Sequence, residues 1–454
     1  MSSRENPNMS AEKHEDTNAV RPGTLRRGAT TNMSAEKHED TNAAAEGACP
    51  MSGFSRRGLF TRGLVAGGGA AVAALSVAAA DPSAASAPTT MPFHGMHQNG
   101  ILPAPAPASA HLAFDVTARN RTELAAMFAA LTDRARILTA GGPPADLGVA
   151  APATDDGTLG PTNPAGDLQV TVAVGSTLFD SRFGLAAHKP RRLRPMDTFV
   201  NDQLDPTRTG GDLLVTLTAQ DRDTVTHAIR DICRSTRSNL QLRWRVDGFT
   251  PPPRPDGHPR NLLGFKDGIQ GPDISNAAAM DQLIWVTPST GEPTWAVGGT
   301  YQVVRLIRMH VEFWDRVSVS EQERMFGHRK DSGAPLSGGS EDTPPDYTND
   351  AIGSTIPLDA HIRLANPRTP QTVDQQILRR SFSYDRGVDD VGNLDMGLVF
   401  GAFNQDLDRQ FVTVQKRLAN EPLVDYITPV GGGYFFALPG VQGPTDVYAR
   451  ALLA

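Results

Sequence analysis

Two ferredoxin-like α+β units in tandem, of the dimeric α+β barrel type with antiparallel sheets and covering helices, are the fold this 454-residue chain predicts. Three observations carry the prediction. A strand–helix–strand–strand–helix–strand order runs through residues 105–255, a looser copy of it runs through 256–454, and 39% of the residues are hydrophobic, enough for two ordinary cores.

In the first unit "HLAFDVTA" reads as a strand. "NRTELAAMFAALTDRARIL" follows as a helix, with Leu124, Met127, Phe128 and Leu131 on one face. Asn120, three residues before Glu123, supplies its N-terminal cap. "DLQVTVAVG" and "DLLVTLTA" are the middle strands, joined by a long arginine-rich connection. "DRDTVTHAIRDICRS" repeats helical spacing through Val225, Ala228, Ile229, Ile232 and Cys233, and "LQLRWRVDGF" closes the unit. Cys233 is thereby a core residue rather than a nucleophile.

In the second unit "TYQVVRLIRM" is a strand, and "SVSEQERMFG" is a helix opened by Ser318 with Glu321 and closed by Gly327. "ILRRSFSYD" and "MGLVFGAFNQ" are strands. "LDRQFVTVQKRLA" is a helix with Phe411, Val414 and Leu418 inward, and "GGYFFALPG" is the last strand. Two such units packed together leave a cleft, where cofactors commonly sit.

The segment before residue 105 reads as address rather than fold. Residues 8–19 recur unchanged at 32–43, in a polar leader (residues 1–54) too poor in apolar side chains to order itself. In residues 55–87, Ser55-Arg56-Arg57 precedes an uncharged run rich in Gly and Ala, the pattern of a twin-arginine export signal. A membrane anchor would need a longer and more apolar run to cross a bilayer about 30 Å thick. Cleavage after Ala80 or Ala87 would leave Cys233 as the one cysteine, so no disulfide framework holds the fold. A formal charge of -7 gives no basic footprint, which argues against a nucleic-acid partner.

Candidate chemistry begins at "NLLGFKDGIQGP", residues 261–272. Gly264 and Gly268 permit tight backbone paths that would project Asp267 toward something close to the main chain. From spacing alone, a surface turn with a solvated carboxylate is the plainer explanation. A second segment, "DAHIRLANPRTP" (359–370), puts His361 at the head of an extended stretch, and Arg379 follows 18 residues later on a predicted strand.

"GFKDG", "HIRLANPR" and "ILRR" in this order, with "GHRKDSGAPL" and "DYITPVGGGYFFALPG", resemble the dye-decolorizing peroxidases from about residue 105 to 454. The closer likeness is to their exported branch, which includes the deferrochelatase/peroxidase proteins of bacterial iron uptake. The resemblance implies haem b with His361 as the iron ligand, and Asp267 and Arg379 as catalytic residues, Arg380 being the neighbour that confuses the register. It places Gly268, Ile269, Gln270, Asn366, Pro367 and Arg368 against the haem. Asp425 is the acidic partner it implies for the imidazole. It further implies hydrogen peroxide and an aromatic or dye-like reducing substrate, reacting through a high-valent iron intermediate.

The residue types suit that chemistry. One neutral imidazole leaves an iron position open for peroxide, and a carboxylate on its other nitrogen raises its basicity. An aspartate can relay a proton, and an arginine is a fixed cation. Two alternatives stand beside the peroxidase: iron release from haem with the porphyrin intact, and haem binding without catalysis, for which Asp267 and Arg379 would be superfluous. Iron-uptake partner proteins and a homo-oligomer complete the expectations.

Overall fold

The structure, a computed structural model, describes residues 92–454. The duplicated leader and the export-signal segment lie outside the described residues. The first repeat runs β1 (Ala108–Val116), α1 (Arg121–Ala140), β2 (Gln169–Gly175), β3 (Leu213–Ala219), α2 (Arg222–Thr236) and β4 (Leu240–Phe249). Its strands lie in the order β4-β1-β3-β2, all antiparallel.

After the short helix α3 (Ala277–Leu283), the second repeat runs β5 (Thr300–Met309), α4 (Val311–Trp314), α5 (Val319–Phe326), α6 (His361–Ala365), β6 (Leu378–Arg379), β7 (Phe382–Val388), β8 (Leu394–Asn404), α7 (Thr413–Arg417) and β9 (Ile427–Ala437). Its order, β9-β5-β8-β7, is the same permutation. Two seams join the repeats. β2 pairs with β9 from Ala173↔Ala437 to Gly175↔Phe435, and β4 meets β7 at Phe249↔Ser383. Since β5 also pairs β8, the sheet closes into an eight-stranded barrel, with β6 adding a short side rung on β8.

Alternation along each strand divides the core in two. Ala113, Ala173, Leu214, Val304 and Leu306 cluster together from both repeats, inside the barrel. Leu112, Val172 and Leu213 face outward onto α1 and α2, whose buried faces include Leu124, Phe128 and Leu131 and Val225, Ala228 and Ile232. Asn120 accepts the Glu123 N–H at 2.9 Å and caps α1; Ser318 does the same for α5 through Glu321, and Gly327 closes α5 at φ 88°. Cys233 is half-buried against this core, and burial raises its thiol pKa.

Three elements differ from expectation. "ILRRSFSYD" breaks into β6 and β7, because Arg380 pairs backbone to backbone with Gly401 and the chain turns there. The segment headed by His361 is a five-residue helix, too short to show a period. The helix expected over 407–419 has three parts: a π turn (Asp408–Val412), α7 and a 3-10 turn (Leu418–Asn420). Phe411 and Val414 are buried, whereas Leu418 is only half-buried.

Candidate active site

The Asp267 loop is pinned from several sides. Phe265 is 1% exposed, stacks on Phe326 with centroids 3.9 Å apart, and meets Trp314 edge-on. Asn261 Oδ1 accepts the N–H groups of Leu263 and Phe265, and Arg260 donates to the Gly264 carbonyl at 2.9 Å. Gly264 and Gly268 sit at φ 86° and 89°, where a side chain would be strained. With Phe265 locked inward, Asp267 is presented on the far side of the turn. Its Oδ1 accepts the Gly268 N–H at 2.7 Å and lies 3.9 Å from Arg379 Nε. Arg379 also donates from Nη2 to the Ile269 carbonyl at 3.1 Å, so the cation hangs from the loop that carries the carboxylate.

Strand alternation settles the Arg379–Arg380 register. Arg379 faces the cavity described below, while Arg380 turns away and donates from Nη2 and Nη1 to the Leu102 and Arg379 carbonyls.

His361 is the first residue of α6, and its Nδ1 lies 2.6 Å from Glu421 Oε2. The acidic partner of the imidazole is therefore Glu421 and not Asp425. The 3-10 turn Pro422–Asp425 carries Asp425 out to solvent, whereas Glu421, just ahead of that turn, is 3% exposed. Burial alone would lower the His361 pKa; the charge and hydrogen bond of Glu421 outweigh it and hold the pKa above the ordinary value. The other end of α6 is held by Arg417, which donates to the Leu364 and Ala365 carbonyls at 2.8 and 3.2 Å. A cation there satisfies carbonyls that a helix end leaves without partners.

These elements enclose a cavity of about 260 Å³ between α6, α7 and the outer face of β5 and β8. Asp267, Gly268, Ile269, Gln270, His361, Asn366, Arg368 and Arg379 all line it; Pro367 and Asp425 do not. Gln270 (φ 62°) and Arg368 (φ 57°) both adopt the left-handed backbone region, and Arg368 Nη2 donates to Gln270 Oε1 at 2.8 Å. Strain at two joined non-glycine residues is a mark of a functional wall.

Several lining residues escaped the sequence. Arg305 is 1% exposed and pairs with buried Asp202, yet its Nε and Nη1 have no partner; the Tyr347 hydroxyl is equally orphaned. His328 also lines the cavity, and burial, then the charges of His361, Arg379 and Arg368, lower its pKa to about 4. "GHRKDSGAPL" contains His328 and was a signal for it. Glu421 had no signal beyond being an acid before a proline.

The donor set fits a haem b. One imidazole is oriented by a carboxylate, and its Nε2 takes no hydrogen bond among the described residues. The walls add apolar Ile307, Leu398 and Phe400, and five lining cations (Lys266, Arg305, Arg368, Arg379, Arg417) face two lining carboxylates (Asp267, Glu421). An excess of positive charge with orphaned donors suits a flat apolar group that carries carboxylates.

Family models agree with that geometry along most of the described chain: Dyp-type peroxidase, N-terminal, matches residues 98–250, and Dyp-type peroxidase, C-terminal, matches 258–442. The chain belongs to the Dyp-type peroxidase family. Among its relatives are the deferrochelatases of Escherichia coli (strain K12), 47% identical over 80% of this chain and 87% of that one, and of Yersinia pestis, 47% identical over 80% and 84%. Solved structures like it include ferric DtpA from Streptomyces lividans (34% identity, 80% of this chain and 97% of that chain, TM-score 0.72). The DyP-type peroxidase from Cellulomonas bogoriensis matches equally well (32% identity, 81% and 98%, TM-score 0.72).

Proposed function

We propose that this member of the family is a haem-dependent peroxidase that uses hydrogen peroxide to oxidise aromatic donors. The observation that carries the reading is the Asp267–Arg379 pair, 3.9 Å apart, in the same cavity as the carboxylate-held His361. Haem b, when bound, supplies an iron centre able to take two oxidising equivalents from peroxide and release them singly.

The chain's residues would do the rest. Glu421 accepts a hydrogen bond from the Nδ1–H of His361, which fixes the tautomer that leaves Nε2 as the ligand atom. Asp267 takes a proton from one peroxide oxygen and returns it to the other, and Arg379 supplies a fixed cation where negative charge develops. Arg368, with the free donors of Arg305 and Tyr347, would hold the carboxylates of the cofactor. Ile307, Leu398 and Phe400 keep that side of the cavity dry.

Asp267→Asn and Arg379→Leu are the test. Each variant should keep its haem spectrum while its first step with peroxide, followed by stopped flow, slows roughly a hundredfold. Wild-type rates in both would sink the reading.

A second reading has its own support in the curated relatives called deferrochelatase. It calls for iron-free protoporphyrin, visible by fluorescence, released from the haem-loaded protein without peroxide. Export through the twin-arginine route is proposed on the sequence of residues 55–87 alone. The Arg56→Lys, Arg57→Lys double variant is expected to stay in the cytoplasm, and its normal export would end that proposal. Iron-uptake partners and self-association are proposals of the same kind, read by co-purification and by sedimentation.

A further inference from the structure

One end of the barrel interior is polar. On its inner face His111 of β1, Gln169 and Thr171 of β2, Thr216 and Thr218 of β3 and Gln302 of β5 are each 9% exposed or less. Further along the barrel the same face turns apolar, through Ala113, Ala173, Leu214 and Val304. The polar side chains surround a second cavity, of about 20 Å³, bounded also by the segment 100–106, Arg380, Phe382, Gly401 and Phe403. Along β8, Leu398 and Phe400 line the large cavity whereas Gly401 and Phe403 line this one, so the two lie on opposite faces of one strand. The small cavity is no part of the site that fits haem.

Three polar atoms of its lining residues are buried without a hydrogen-bond partner: Arg380 Nε, His111 Nδ1 and Gln302 Oε1. Arg380 is the decisive one. Its Nη1 donates to the Arg379 carbonyl at 2.7 Å and its Nη2 to the Leu102 carbonyl, but it makes no ion pair among the described residues. No carboxylate lines the cavity. Burial first, then the charge of Arg379, push the Arg380 pKa down to about 10, as befits a cation without a counter-charge. Burial holds His111 at about 4 and so neutral, which leaves the walls with one positive charge and no negative one. A buried charge is ordinarily paired.

We propose that this cavity is a binding site for a small monovalent anion of halide size, such as chloride, held on Arg380 inside the polar end of the barrel. A volume of about 20 Å³ takes a single such ion or a water and is too small for phosphate or sulfate. Each orphaned group can turn a proton toward the ion. Arg380 Nε always carries one, and His111 Nδ1 carries one in one neutral tautomer. Gln302, whose Nε2 now reaches Thr216 Oγ1 at 3.4 Å, presents its NH2 when the amide turns over and Oε1 accepts the Thr216 hydroxyl instead. Bound there, the ion offsets the repulsion between Arg379 and Arg380 and secures the segment that Arg380 ties down through Leu102. The proposal is independent of the peroxidase reading.

The test uses haem-loaded protein and bromide, a probe that anomalous scattering can see. Crystals grown without halide and soaked in sodium bromide should show an anomalous peak in the cavity beside Arg380. In solution the melting temperature should rise saturably with sodium bromide, by roughly 2–4 °C at a hundredfold excess over Kd. The reference is sodium gluconate at equal ionic strength, whose anion is too large to enter. Arg380→Gln should lose both the peak and the rise. Gln302→Glu should lose them too while staying folded, because its carboxylate supplies the counter-charge from within; it reads the same point if Arg380→Gln does not fold. Superimposed melts in the two salts and no bromide in the cavity would show that water alone fills it and would overturn the proposal. A rise in Gln302→Glu equal to that of the wild type would put the bromide elsewhere and overturn it as well.

Discussion

The two repeats share one strand permutation and use the space above their sheets in opposite ways. In the first, α1 and α2 are continuous helices of 20 and 15 residues, and their apolar faces fill the gap down to β1–β3. In the second, the corresponding cover is broken into α5, α6, a π turn, α7 and a 3-10 turn, and the gap stays open as the cavity. Continuous helices make a core, and interrupted ones make a site. The first repeat contributes scaffold through the two barrel seams, so the wall behind the cavity is rigid although its cover is irregular.

The contrast breaks most sharply under truncation. His361→Ala should leave the protein folded but largely without haem, seen as a lost Soret band after reconstitution. Leu131→Ala, at a fully buried position on α1, should do the reverse: haem occupancy is kept while stability in urea falls by about 2–5 kcal/mol. A native Soret band in His361→Ala would remove the ligand assignment.

Smaller effects sharpen the comparison within the second repeat. Glu421→Gln should weaken haem binding roughly 10- to 100-fold in a titration, whereas Asp425→Asn should leave it unchanged. Equal affinities for the two variants would show that the 2.6 Å contact does not tune the ligand.

An effect confined to the ends of the pH range sets a histidine of each repeat against the other. Burial lowers the pKa of His111, inside the barrel, to about 4. Between roughly pH 6.5 and 4 the unfolded chain takes a proton that native His111 refuses, so this group destabilises progressively on acidification, by up to roughly 3 kcal/mol. His361, with its pKa raised, has the opposite sign in the haem-free chain: its contribution is complete below the ordinary histidine pKa and is lost as pH rises through the raised one. Thermal melts from pH 4.5 to 8 should therefore flatten on the acid side in His111→Asn and on the alkaline side in His361→Gln. Unchanged profiles would contradict both assignments.

How much the sequence disclosed depended on how local each signal was. The helices α1, α2 and α5, the first and last of them closed by side-chain caps, and the glycines around Asp267, are short-range features, readable from neighbouring residues. Arg379 was readable through motif order. Glu421 was not, because its partner lies 60 residues away and a 3-10 turn decides which nearby acid points inward. Barrel closure was equally hidden: the seams Ala173↔Ala437 and Phe249↔Ser383 join residues far apart in sequence. The broken helix after Leu407 kept an apolar spacing ordinary enough to pass for a regular one.

The break itself is a matter of residue count. A π turn holds one residue more than an α turn would, and each residue of an α-helix rotates the next by about 100°. The wide turn absorbs that residue, so deleting one from Asp408–Val412 would restore regular winding while leaving Arg417 in phase to hold the Leu364 and Ala365 carbonyls. The surplus residue is thus spent locally, at the turn that carries Phe411 to the cavity, and the grip of Arg417 on the far end of the His361 helix is insulated from it.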